Sequence, residues 1–284
     1  MSMRDFIKMH GLGNDFVIVD ARENPLRVSA DGTRSLSDRH TGIGFDQLIA
    51  LDAPAGDDTD VDIRIFNADG GEVAACGNAM RCVARLLLDG NDPDDARLRI
   101  RTAAGHLEAW RDGPARYAID MGLARDGWQE IPLAHECDTD HLPLSLGPLT
   151  DPVGVSMGNP HAVFFVDDLA AIPIETLGPE LEHDPLFPER ANIGVAQLTG
   201  PDRLRLRVWE RGAGLTLACG SGACAAVVAA HRRGLTGRRI EIEVDGGILD
   251  LEWRDDNHVI MTGPAEESFR GAVGEDAFTG GGDG

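Results

Sequence analysis

Hydrophobic and polar positions along this chain fall into short runs of two kinds. Ile63-Arg64-Ile65-Phe66 and Leu206-Arg207-Val208-Trp209 alternate as half-buried strands do. Met80–Leu88 and Ala223–Arg232 are helix-forming runs, with Gly90 and Gly234 as C-terminal stops. Behind each helix comes a strand pair: Leu98–Thr102 with Leu107–Trp110, turning at Ala104-Gly105, and Ile240–Val244 with Ile248–Trp253, turning at Gly246-Gly247.

The two series are copies of one pattern. When Cys219 is laid over Cys76, Gly214 falls on Gly71 and Ala218-Cys219-Gly220 on Ala75-Cys76-Gly77. The stretches opening at Gly13-Asn14-Asp15-Phe16 and Gly158-Asn159-Pro160-His161 correspond as well. One duplication of this size predicts two similar α+β domains, since a solenoid would need more copies of a shorter period. The boundary is expected near Met121–Gly127, giving a domain 1–122 that carries Cys76 and a domain 123–263 that carries Cys219. The Gly- and Asp-rich end, 276–284, holds too little apolar content to order itself and is expected to be disordered.

Composition narrows the class. The chain has 284 residues, 42% of them hydrophobic, enough for two cores. Arg4, Asp5, Lys8, Asn14 and Asp15 interrupt the first apolar residues before a signal-peptide core could form. Leu217–Ala230 is too short and too rich in glycine and alanine to span a bilayer, so a soluble, cytoplasmic protein is expected. The net charge of −22 repels nucleic-acid phosphates and anionic membranes, and neither is an expected partner. An aspartate excess at Asp57–Asp62 and Asp89–Asp95, with arginine for nearly every basic residue, reads equally as adaptation to high salt or as a preference for arginine codons.

Lys8 is the only lysine, and therefore the only residue that could hold pyridoxal phosphate as a Schiff base. Five cysteines without a dense framework argue against a disulfide scaffold, leaving thiol chemistry or burial. Cys82 and Cys224 follow Cys76 and Cys219 by six and five positions, whereas helical metal ligands need spacings of three or four. No metal site is expected, and both are read as core residues. Cys137 has no supporting context.

Each repeat sets a cysteine where the chain enters a helix, followed by Gly77-Asn78 or Gly220-Ser221. Unbonded N–H groups and the positive end of the helix dipole favour a thiolate there and can hold a carboxylate. One such cysteine is ordinarily a small buried residue. Two at matching places in a repeat point to a pair of acid–base groups. If the domains face each other, one thiolate removes an α-proton while the other thiol protonates the opposite face, inverting the carbon without a cofactor.

These residues resemble the diaminopimelate epimerase family from Met9 to about Phe269. The resemblance rests on Met9-His10-Gly11-Leu12-Gly13-Asn14-Asp15-Phe16, Gly44-Phe45-Asp46-Gln47, Phe66-Asn67-Ala68-Asp69-Gly70, Ala75-Cys76-Gly77-Asn78, Gly158-Asn159-Pro160-His161, Ala191-Asn192-Ile193-Gly194, Glu210-Arg211-Gly212-Ala213-Gly214 and Ala218-Cys219-Gly220-Ser221-Gly222-Ala223-Cys224. It implies two pseudo-symmetric domains, each a curved, mostly antiparallel sheet around a central helix, with segment 264–275 returning to the first. It implies cofactor-independent interconversion of L,L- and meso-2,6-diaminopimelate, a lysine and peptidoglycan precursor. Cys76 is then proton donor and Cys219 acceptor in one direction, with roles exchanged in reverse.

By the same resemblance Asn14, Gln47, Asn67, Gly77, Asn78, Asn159, Asn192, Glu210, Arg211, Gly220 and Ser221 bind substrate, while His161 and Glu210 tune the thiols. The residue types suit the task, because a substrate with two amino-acid ends needs amides, a carboxylate for ammonium and an arginine for carboxylate. The chain departs from the family at Ala79 and Leu215, where glycine and glutamate are usual. Phe269 stands where the family has a tyrosine associated with dimer contacts, which leaves a homodimer open. Two readings compete: a proline or hydroxyproline racemase, or a phenazine-type isomerase, of the same fold, and a thiol redox or metal-binding protein. Glu210-Arg211 speaks against a proline pocket, and the lack of a Cys-x-x-Cys pair against the redox protein.

Overall fold

Nineteen strands and four α-helices make up the computed structural model, which describes residues 2–74, 76–88, 93 and 96–280. Contacts divide the chain into two units, Met1–Ile119 with Pro264–Gly284, and Asp120–Gly263. Gly90, most of Asp89–Asp95 and Ala75, which figured in the sequence reading, lie outside the described residues.

The first unit opens with β1 (Met3–Gly11) and β2 (Asn14–Asp20), followed by α1 (Ala30–Ser37), β3 (Gln47–Asp52), β4 (Val61–Asn67), β5 (Glu72–Val73), α2 (Gly77–Leu88), β6 (Leu98–Thr102), β7 (Gly105–Arg111) and the first half of β8 (Arg116–Leu123), whose residues from Asp120 belong to the second. β1 and β2 are an antiparallel hairpin, joined by Leu12 and Gly13 at φ 59° and 83°. β2 then runs parallel to β3, β3 antiparallel to β4, and β4 parallel to β6. Parallel strands covered on both faces read as unbroken apolar runs, and Phe16–Val19 and Leu48–Leu51 are buried throughout. α2 packs on β1, β6 and β7 through Met80, Val83, Ala84 and Leu88.

The second unit holds β9 (Ser145–Leu146), β10 (Leu149–Thr150), β11 (Val153–Ser156), β12 (Pro160–Phe165), α3 (Ile174–Glu182), β13 (Asn192–Gly200), β14 (Arg203–Glu210), β15 (Gly214–Leu215), α4 (Gly220–Arg232), β16 (Arg239–Val244), β17 (Gly247–Trp253) and β18 (His258–Pro264). Its pairings repeat those of the first unit: β11 with β12 antiparallel, β12 with β13 parallel, β13 with β14 antiparallel, β14 with β16 parallel. Ala223–Ala230 is buried on every side of α4, as expected of a helix covered all round, and its small residues let β11–β14, β16 and β17 pack close. The α+β class follows directly. Among the described residues no helix is long and apolar enough to cross a membrane.

A last strand, β19 (Glu266–Gly274), pairs antiparallel with β1. Beyond it the expectation of disorder fails. Glu275–Thr279 is a 3-10 helix, and Phe278 is fully buried against α1. The Ser29 N–H donates to the Phe278 carbonyl at 2.9 Å, and at Gly32 an added Cβ would lie 2.2 Å from that oxygen. The Arg4 guanidinium on Glu275 and the Glu275 N–H on the Ser2 carbonyl tie the same segment to β1 and its start. Residues 281–284 lie outside the described residues.

Gly178 in α3 is a second close approach. A Cβ there would lie 2.5 Å from Cγ of Trp209 on β14, and that indole is held by Nε1 donating to Glu182 Oε2 at 2.8 Å. Gly178→Ala would gain about 1 kcal/mol of helix propensity, yet overpacking against an anchored ring costs about 1–3 kcal/mol. A net destabilisation of up to about 2 kcal/mol is expected, read as a lower urea midpoint with an unchanged slope.

Candidate active site

In the first unit, α2 starts immediately after Cys76, whose carbonyl accepts the Met80 N–H at 3.1 Å. The Cys76 sulfur lies 3.8 Å from Asn14 Oδ1 at the start of β2. The orientation of that amide follows from its neighbours. Asn14 Nδ2 donates to Asp46 Oδ2 at 2.8 Å, and an ionised carboxylate only accepts, so the carbonyl oxygen is the end that faces Cys76. The same oxygen accepts from Asn78 Nδ2 at 3.3 Å. Arg39 holds Asp46 at 2.8 Å and Asp15 at 2.7 Å. Partial burial alone would raise the Asp15 carboxyl, but hydrogen bonds from Arg39 and Lys8 outweigh it and hold the group well below the usual carboxylate range.

Gln47 and Asn67 face each other in the β3–β4 register, with Nε2 of one donating to Oδ1 of the other at 2.9 Å. Lys8 is buried, its ammonium bonded to Asp15 and to the Gly44 carbonyl.

In the second unit Cys219 is itself the N-cap of α4, in an extended conformation, and its sulfur accepts the Gly222 N–H at 3.4 Å. Ser221 Oγ lies 3.7 Å from the same sulfur. Glu210, at the end of β14, acts on the thiol electrostatically and accepts from the Thr216 hydroxyl. The helix start was expected to favour a thiolate, and here the balance runs the other way. Burial first, then the Glu210 carboxylate, push the Cys219 thiol well above its usual range, and the Gly222 N–H lowers it by less. Burial likewise raises Glu210, against the Thr216 hydroxyl and the Cys219 thiol, which lower it.

A chain of polar contacts reaches Cys219 from the sheet. His161 on β12 is buried and meets Asn159 Oδ1 through Nε2 at 3.0 Å, Asn159 Nδ2 reaches Ser221 Oγ at 3.5 Å, and Ser221 meets the sulfur. Burial, and then the charge of Arg211, push His161 down to about 3, so the ring is neutral at physiological pH. With Nε2 facing a carbonyl oxygen, that nitrogen carries the proton. Asn192 links the remaining pieces: its Nδ2 donates to the Pro160 carbonyl at 2.9 Å, and its Oδ1 accepts the Arg211 N–H at 2.9 Å. The Arg211 guanidinium donates to the Glu189 carbonyl at 3.0 Å.

The residues singled out in the sequence thus assemble into two clusters, one in each unit. Asn14, Gln47, Asn67, Cys76, Gly77 and Asn78 belong to the first, and Asn159, His161, Asn192, Glu210, Arg211, Cys219, Gly220 and Ser221 to the second. Cys82 and Cys224 are buried within their helices, and burial pushes Cys82 up to about 12. Cys137 packs half-buried against the apolar cluster around Ile131 and Leu142. Sequence reasoning overlooked Asp46 and Thr216, which bond directly to site residues. Asp46 sits at a bend just before β3 and Thr216 in the irregular segment just after β15, where Asp and Thr are ordinary.

The family model for diaminopimelate epimerase matches residues 6–125 and 153–267. A diaminopimelate epimerase of Acidiphilium cryptum is 58% identical over 270 residues, covering 95% of this chain and 96% of that protein. One from Rhodospirillum centenum is 53% identical over 278 residues, covering 98% and 95%. Among solved structures, a phenazine biosynthesis protein of Bacillus anthracis aligns with a TM-score of 0.68 at 15% identity, over 96% of this chain and 99% of that one, a likeness of fold.

Proposed function

Because the chain belongs to the diaminopimelate epimerase family, we propose that it interconverts L,L- and meso-2,6-diaminopimelate by moving protons between Cys76, Cys219 and one α-carbon of the substrate. The observation that carries this reading is the matched placement of the two sulfurs. Each precedes the first residue of its helix, next to backbone N–H groups suited to a substrate carboxylate and to side-chain amides suited to its polar ends.

The reaction balances with no redox partner. One sulfur, as thiolate, takes the α-proton and becomes a thiol. The other, as thiol, gives its proton to the opposite face of the carbanion and becomes a thiolate, so the pair ends with its roles exchanged. An α-amino-acid C–H is a very weak acid, so a base of high proton affinity is useful. Burial and Glu210 give Cys219 that character. On the Cys76 side, the Asn14 carbonyl is an acceptor for the S–H, which holds the thiol form. Helix N-termini and Arg211 stabilise the carboxylate as charge builds on it, and the neutral His161 holds Asn159 in place beside Ser221. The five cysteines standing as thiols support a cytoplasmic location.

The test is to incubate the purified protein with L,L-diaminopimelate and separate the stereoisomers. The meso form should appear and approach equilibrium with the starting isomer. No meso product, with racemisation of proline or hydroxyproline instead, would replace this reading by its nearest rival.

A further inference from the structure

Glu182, the last residue of α3, is 3% exposed and takes no part in the proton transfers described above. A buried carboxylate is costly unless its oxygens are bonded. Both are. Oε2 accepts from Trp209 Nε1 at 2.8 Å, and Oε1 accepts from the Gly212 N–H at 2.9 Å and from Arg190 Nη1 at 3.4 Å. The backbone carbonyl of the same residue accepts the Ala191 N–H at 3.2 Å.

These bonds bracket the residues of the second cluster. Trp209 and Gly212 flank Glu210 and Arg211, while Arg190 and Ala191 precede Asn192. The two segments are also joined directly, by the Arg211 N–H on Asn192 Oδ1 and by the Arg211 guanidinium on the Glu189 carbonyl. A turn as exposed as Gly212-Ala213 has little packing of its own to hold it, and Glu182 fastens it from the buried side.

We infer that Glu182 is a positioning residue for this half of the site, fixing Arg211 and Glu210 in the pose that receives one end of the substrate. The inference rests on Arg211 being the substrate-carboxylate residue. It requires a carboxylate specifically, because Trp209 Nε1 and Gly212 N both donate and a glutamine in place of Glu182 has only one acceptor oxygen.

Four proteins test it: the wild type, Glu182→Gln, Arg211→Ala and the double variant Glu182→Gln/Trp209→Phe. Steady-state kinetics on L,L-diaminopimelate is run well below each melting temperature. Glu182→Gln should raise KM by about ten-fold with a smaller change in kcat, since loosened ground-state binding acts on KM and a lost hydrogen bond to a charged group is of that size. The double variant should recover part of that loss, because the amide can turn its NH2 toward the phenyl ring and keep its oxygen on Gly212. A lower melting temperature with KM unchanged in Glu182→Gln, or no recovery in the double variant, overturns the inference. Arg211→Ala separates the premise: a large rise in its KM beside an unmoved Glu182→Gln defeats the positioning role alone. An unchanged KM in Arg211→Ala defeats the assignment of Arg211 on which the inference rests.

Discussion

Cys76→Ala and Cys219→Ala should each lose epimerisation by about 10⁴-fold, the upper range for removing a positioned acid or base, because inversion needs both sulfurs. Loss of fold would not account for this. Cys219 caps α4, and replacing a capping residue by alanine costs about 1 kcal/mol, a few degrees of melting temperature. Cys219→Ser sharpens the comparison. A serine hydroxyl is a better cap than alanine and can accept the Gly222 N–H, so stability should be retained. Its acidity is far below that of a thiol, so activity should remain near the alanine level. Chiral assays of the three variants beside their melting curves decide the matter, and near wild-type conversion by either alanine variant contradicts it.

Glu210→Gln should move the ionisation of Cys219 to lower pH. Burial raises this thiol most, and Glu210 adds to the rise by placing a negative charge beside a sulfur that would become negative. A neutral amide removes that repulsion and leaves the burial. The thiolate therefore forms at lower pH in the variant, and each thiolate formed is a weaker base. Iodoacetamide alkylation followed across pH by mass spectrometry, reading the Cys219 peptide, gives the midpoint directly. A midpoint that stays in place or moves up would mean that Glu210 does not set the proton affinity of Cys219.

Local pattern made much of the architecture legible. The alternation at Ile63–Phe66 and Leu206–Trp209 lies within β4 and β14, and the helix-forming runs after Cys76 and Cys219 lie within α2 and α4. The placement of both cysteines at helix starts was readable from glycine-rich turns meeting apolar helical runs. Contacts that join distant parts of the chain were not. Phe278 is ordered by Ser29 and Gly32, and a local composition rule has no access to that meeting. Glu182 looks like any polar residue at a helix end until its carboxylate is found under Trp209 and Gly212.

The sign of the Cys219 shift was illegible for a related reason. A sequence announces a helix N-terminus, which favours the thiolate, but burial and the neighbouring carboxylate are three-dimensional facts. Asn14 is a similar case. Its side-chain amide could face Cys76 by either end, and only the Asp46 carboxylate, immediately before β3, decides which.

The central claim is that two thiols serve opposite faces of one carbon, and early isotope incorporation in deuterated water tests it most directly. Thiols exchange with solvent quickly, so the donor sulfur carries deuterium while the thiolate base takes the hydrogen of the substrate. During the first few per cent of conversion of L,L-diaminopimelate, the meso product should carry one solvent deuterium at the inverted carbon and the remaining L,L isomer should stay unlabelled. Equal label in substrate and product at that stage, or product that retains the original hydrogen, would mean a single shared base and would contradict the account.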